Sequence, residues 1–230
     1  MLDERLSLAA ALYEPCRLGA DLGTDHGLLP CHLLQTDVCK RMILSDISEH
    51  ALSRAKANVY RRHLEERVSF CCADGLSAVS EPCGCISVTG MGGETLSSIL
   101  LSGQERLQGA VLVLSSHTSL PLVRNAIQRI RYRIAREELC RAAGRYYLVW
   151  RCEPGDMTWD EDELCCGKLL WETGNPLLAG YAQHRIRVME EKLRGLRSAE
   201  VFREEEARLA ARELAVCREH EKELSHDHRP

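Results

Sequence analysis

The run Asp21-Leu22-Gly23-Thr24-Asp25-His26-Gly27 joins the residue types of a nucleotide-cofactor loop to one that such a loop usually avoids. Glycines between a strand and a helix let a ligand approach the backbone closely, and the helix N-terminus offers free N–H groups. A carboxylate inside that turn, Asp25, repels a pyrophosphate but suits a ligand carrying ammonium or sulfonium charge. S-adenosylmethionine carries both, which turns the reading toward methyl transfer. An NAD-binding Rossmann oxidoreductase would need a glycine where Asp25 stands, and is the less favoured enzyme class. His26 is a candidate acid or base, or a structural hydrogen-bond donor.

Other polar and glycine residues recur at the ends of apolar runs. Asp46 closes Arg41-Met42-Ile43-Leu44-Ser45, one strand-helix-strand unit after Asp21, where a carboxylate can accept from ribose hydroxyls. It can also cap the next helix, but Ser48 is available for that. Asp74-Gly75 ends a third run, where the carboxylate can accept from an adenine amino group or simply make a turn. Gly90-Met91-Gly92-Gly93 places three glycines where a turn needs one, so backbone can reach a planar base or the methionine end of a cofactor.

Strand and helix patterns alternate to position these ends. Strands are expected at Arg17–Gly23, Arg41–Ser45, Val68–Ala73, Ile86–Thr89, Val111–Leu114, Arg133–Leu139 and Tyr146–Cys152. Helices are expected at Leu28–Gln35, Glu49–His63, after Gly93 and at Pro121–Ile130, the last with proline in its first turn. Such alternation predicts an α/β domain with a mostly parallel sheet, whose ligands bind beyond the carboxyl ends of the strands. Farther on, Ile186, Met189, Leu193 and Leu196 recur at helical spacing, and Ala207, Ala210, Leu214 and Cys217 repeat it. Two packed amphipathic helices follow, with Gly174-Asn175-Pro176 as the break before them and Arg197–Glu200 as the turn between.

At 230 residues the chain suits one domain, residues 1–157, plus a helical extension, residues 158–230. No apolar stretch approaches the ~20 residues of a membrane span, and Asp3 and Glu4 do not fit a signal peptide, so a cytoplasmic protein is expected. Nothing in the pattern demands an oligomer, and a monomer is compatible with it. The twelve cysteines include no CxxC pair and sit among apolar neighbours, which fits buried small hydrophobes; no metal is expected, Cys83-Gly84-Cys85 being the nearest approach to a site.

The net charge of −4 hides a local excess. Arg124, Arg129, Arg131, Arg133, Arg136, Arg141, Arg145 and Arg151 face only Glu137 and Glu138 over that stretch, giving either a phosphate-binding surface or a solvated arginine face. Arg185, Arg187, Lys192, Arg194 and Arg197 give the first C-terminal helix a basic character as well.

Asp21 to Pro30, taken with Thr89-Gly90-Met91-Gly92-Gly93, resembles the bacterial tRNA (adenine-N1)-methyltransferases that modify adenine 22. The resemblance runs over almost the whole chain. It implies a Rossmann-like class I methyltransferase domain with a mostly parallel seven-stranded sheet, S-adenosylmethionine as cofactor, and a C-terminal coiled-coil-like helical hairpin that helps engage tRNA. By position, Asp21, Gly23 and Asp25 match the first motif, Asp46 with Ile47 the acidic end of the second strand, and Asp74-Gly75 the third motif. Gly90, Met91 and Gly92 match the loop by the methyl donor. Gly93, Arg124, Arg129, Arg145 and Tyr147 are then candidate substrate contacts, Tyr147 by stacking or by packing. Asp25, His26 and His117 are candidate catalytic residues, Asp25 either steadying charge on the adenine or anchoring the donor. One departure stands out: relatives carry a Gln-Pro-Asn-like segment where this chain has Ser115-Ser116-His117. His117 either takes over the hydrogen bonding of the amide or marks altered activity, and a degenerate RNA-binding module is the alternative.

Overall fold

The computed structural model describes residues 2–198 and 203–226. The chain divides into two compact units, Met1–Thr158 and Trp159–Pro230. The first unit opens with a helix that sequence reading left unassigned, α1 (Glu4–Ala11), whose first turn is closed by Asp3 accepting from Leu6 N at 2.7 Å. Then follow β1 (Cys16–Leu22), α2 (Leu28–Gln35), β2 (Cys39–Asp46), α3 (Glu49–Arg61), β3 (Val68–Cys72), β4 (Cys85–Thr89), α4 (Gly93–Ser102), β5 (Val111–Ser116) and α5 (Leu120–Arg129). A long hairpin, β6 (Tyr132–Ala142) and β7 (Arg145–Pro154), completes the unit.

The strands form one seven-stranded sheet in the order β3-β2-β1-β4-β5-β7-β6. β1 to β5 pair in parallel, β7 runs antiparallel to β5, and β6 antiparallel to β7. This is the mostly parallel α/β fold the strand pattern implied. Apolar runs such as Leu112-Val113-Leu114 are buried on both faces because helices cover both sides of the sheet. Chain order reverses between β1 and β4, so the switch point, where an open sheet forms its ligand crevice, lies beside Asp21 and Gly90.

The second unit contains α6 (Glu161–Cys166), α7 (Leu169–Glu172), α8 (Leu178–Arg197) and α9 (Glu204–His226). Asp160 and Glu163 form a reciprocal capping box at the start of α6. Gly174-Asn175-Pro176 stands between α7 and α8 as expected, whereas residues 199 and 200 of the expected Arg197–Glu200 turn lie outside the described residues. α8 and α9 pack together, with Met189, Ala210 and Leu214 buried between them. Arg185 is not part of a basic surface: it is buried and donates from Nε to Glu213 Oε1 at 2.7 Å. Among the described residues no helix is long and apolar enough to cross a membrane, and no three His, Cys, Asp or Glu side chains gather to hold a metal.

Candidate active site

A cavity of about 210 Å³ opens at the switch point, lined by the loop after β1 (Gly23, Thr24, Asp25, His26), by Asp21, by Thr89 and Gly90, and by Arg5 of α1. The first motif and the glycine loop thus meet. Gly23 has φ +72°, and a Cβ there would stand 2.1 Å from Met91 Cε, so this glycine serves both conformation and close approach. Gly23→Ala should cost about 2–3 kcal/mol from the left-handed backbone and the displaced methionine. A urea titration of the ligand-free protein measures it, and an unchanged midpoint would contradict the packing.

Asp21 lies at the floor of this cavity. Tyr13 Oη donates to Ser87 Oγ at 2.7 Å, and Ser87 Oγ donates to Asp21 Oδ1 at 2.5 Å. Burial pushes the Asp21 carboxyl up to about 6, against the opposing effects of the Ser87 bond and the nearby Arg5 charge. At neutral pH the floor is therefore a desolvated carboxylate, suited to an ammonium group. Neither Tyr13 nor Ser87 carries a motif; only the pairing of β1 with β4 brings Ser87 beside Asp21.

Asp25, at φ +42°, pairs with Arg54 of α3, and its Oδ2 stands 3.6 Å from His26 Nε2. Its charge is therefore shared with a cation that sequence reading did not connect to it. At the next strand end Ser48 caps α3 by accepting from Ala51 N at 3.3 Å. Asp46 is thereby freed from the capping role, its Oδ1 accepting from Ser48 N at 2.9 Å. Ile47 beside it is 75% exposed, an apolar face open to a planar ring. The Asp74 carboxylate is exposed and makes no cap for the short turn it precedes. Asp74 and Gly75 line a separate cavity of about 340 Å³ against α4, so they do not share the pocket of Asp21.

On the other side, Gly90 has φ +83° and Gly92 precedes α4. His117, just beyond β5, lies 5.2 Å from the Tyr147 ring, and the Arg5 guanidinium stands 5.5 Å from that same ring. Partial burial, with the charges of Arg145 and Arg5, holds the His117 imidazole below its ordinary pKa, so the ring is neutral at pH 7. Register explains the grouping. Leu148 pairs with Ser116 and Arg141 with Tyr146, so the β6–β7 tip lies level with the end of β5.

The methyltransferase domain family matches residues 2–150, well over half of the chain. The chain belongs to that family. A tRNA (adenine(22)-N(1))-methyltransferase of Bacillus subtilis (strain 168) is 28% identical over 173 residues, 74% of this chain and 73% of its own length. The crystal structure of the B. subtilis m1A22 tRNA methyltransferase TrmK matches with a TM-score of 0.83 at 21% identity, covering 96% of this chain and 99% of that one. Streptococcus pneumoniae Sp1610 in complex with S-adenosyl-L-methionine gives a TM-score of 0.83 at 25% identity, covering 96% and 100%. The sheet of this methyltransferase is accordingly the Rossmann-like methyltransferase fold.

Of the residues expected to touch substrate, two are taken up by pairing or packing in this methyltransferase and a third lies at the opposite edge. Arg124 is wholly buried, donating from Nε to Glu137 Oε1 at 2.8 Å, and cannot reach a phosphate. Arg129 ends α5, which runs from the site edge to the opposite edge: Tyr132 soon after it pairs with Pro154, whereas Leu148 marks the site level. The intervening strand spans roughly 20 Å. Gly93 is buried, its N–H donates to Thr118 Oγ1 at 3.1 Å, and a Cβ would stand 2.2 Å from the Thr118 carbonyl oxygen; it is a packing glycine. The broad basic stretch is also largely neutralised. Arg131 pairs with Asp156, Arg133 with Glu153, Arg136 with Glu138, and Arg151 with Glu14 and Glu153. Counting acids only between Arg124 and Arg151 overlooked Glu14, Glu153 and Asp156. What remains at the site edge is the exposed pair Arg141 and Arg145, with Tyr146 stacked under Arg141 at 5.5 Å.

Proposed function

We propose that this methyltransferase transfers a methyl group from S-adenosylmethionine to N1 of an adenine in tRNA, the adenine at position 22, in the cytoplasm. The observation that carries the reading is the level of the β6–β7 tip. Arg141, Arg145 and Tyr147, suited to phosphates and a stacked base, stand at the edge that holds the donor cavity. Similarity over 74% of the chain to a tRNA (adenine(22)-N(1))-methyltransferase supports the choice of substrate.

The residues present fit the donor. Asp21 suits its ammonium group, Asp46 a ribose and Ile47 an adenine face, while Gly23 and Gly90 leave room for it. Bound there, S-adenosylmethionine supplies an electrophilic methyl carbon. Adenine N1 has an in-plane lone pair and is unprotonated at neutral pH, so the protein must align the base rather than deprotonate it first. Tyr147 offers a face against which the base can be held. As positive charge develops on the ring, the neutral His117 imidazole can accept the proton that the N6 amino group loses, and Asp25 adds negative potential despite its bond to Arg54.

Incubation with labelled S-adenosylmethionine and unmodified tRNA, followed by nucleoside mapping, should yield N1-methyladenosine at position 22. A different methylated nucleoside would overturn the substrate. S-adenosylhomocysteine binding without methyl incorporation into any tRNA would favour the RNA-binding module.

A further inference from the structure

The donor cavity contains a cation that no motif marks. Arg5, from the first turn of α1, lines it together with Asp21, and its Nη1 is buried with no hydrogen-bond partner. Its nearest acid is Asp3, whose Oδ2 is 3.9 Å from Nη2, beyond hydrogen-bond reach, while Asp3 Oδ1 is committed to the Leu6 N–H. The guanidinium is held over the Tyr147 ring, and its Nη1 lies 3.2 Å from where a Cβ on residue 90 would be. A side chain at residue 90 would crowd this nitrogen, and glycine there avoids that. An unsatisfied buried guanidinium N–H is costly, and a carboxylate is the ligand group that matches it best.

The cavity thus presents opposite charges from two elements, Asp21 on β1 and Arg5 on α1. That pattern complements a zwitterionic amino-acid head, not a lone ammonium. We propose that Arg5 binds the α-carboxylate of the methyl donor's methionine moiety while Asp21 faces its ammonium, an assignment that rests on S-adenosylmethionine being the donor. Arg5 also strengthens the carboxylate character of Asp21 through its field. The amino-terminal helix is then part of the cofactor site and not merely a cover for the sheet.

The test compares S-adenosylhomocysteine with its decarboxylated analogue, which keeps the ammonium and lacks only the carboxylate, by titration calorimetry. Wild type should prefer S-adenosylhomocysteine by ~10- to 100-fold, the range expected for hydrogen bonds to a charged group. Arg5→Gln should bind both ligands equally, with the analogue held as tightly as by wild type, and Arg5→Lys should recover part of the preference. A preference that persists in Arg5→Gln, or an equal weakening of both ligands, would overturn the assignment. So would the absence of any preference in wild type, which needs no variant to fold. Wild type that binds neither ligand would overturn the donor reading itself, and the assignment with it.

Discussion

Asp21→Asn is expected to make the ligand-free protein more stable while weakening its affinity for the methyl donor. The carboxyl is buried and its pKa is raised to about 6, so the folded state holds this proton more tightly than the unfolded chain does. Its ionisation therefore costs nothing below the ordinary aspartate range. The cost grows as pH rises toward 6 and is fully present above it. A shift of about two units corresponds to roughly 3 kcal/mol at pH 7 and above. Asparagine keeps an oxygen for the Ser87 hydroxyl and carries no charge to desolvate. Thermal melts of the two proteins should nearly coincide at pH 4 and separate by several degrees at pH 8, with the variant the more stable. In the same variant an ammonium group loses its counter-charge, and S-adenosylhomocysteine affinity should fall by ~10-fold or more. Melts that separate equally at both pH values would show that Asp21 titrates as an ordinary surface carboxylate.

Glu137→Ala should act in the opposite direction, and strongly. Glu137 Oε1 accepts from Arg124 Nε at 2.8 Å and from Trp150 Nε1 at 2.7 Å, with the Arg124 and Glu137 side chains both fully buried. Deleting the carboxylate leaves a guanidinium and an indole N–H without it in a dry core, a loss of about 3–5 kcal/mol. Against a total stability of about 5–15 kcal/mol, that should move the urea midpoint far down. The paired replacement Arg124→Met with Glu137→Leu removes both charges and should restore most of the stability. It should also leave tRNA affinity unchanged, because Arg124 does not reach the surface. A selective loss of tRNA binding in the well-folded double variant would return Arg124 to the substrate interface.

Both predictions concern residues whose types were visible in the sequence and whose partners were not. Asp21 was legible as a motif carboxylate, because a strand-loop-helix pattern with glycines imposes local backbone geometry that a short run encodes. The parallel sheet, the glycine loop at Gly90 and the apolar stripes of the two long C-terminal helices were legible for the same reason: each follows from a local period or a local turn. α1 is only 8 residues long and shows no motif, so Arg5 drew no notice.

Arg124 shows where local reading fails. Arginines at 124, 129, 131, 133 and 136 form one cluster on paper, but helix and strand periodicities send successive side chains to different faces. One entered the core, one reached the far edge of the sheet, two met acids on or just beyond the neighbouring strand, and one met an acid two residues along its own strand. The amino-acid sequence by itself determined the class of fold, the cofactor-type loops and the charges available to the site. Tertiary structure alone decided which charges meet: Arg54 with Asp25 and Glu137 with Arg124, and Arg5 on the cavity that Asp21 lines. The physical reason is that an ion pair needs only a few ångströms in space, whereas strand pairing joins residues such as Asp21 and Ser87 that lie far apart along the chain.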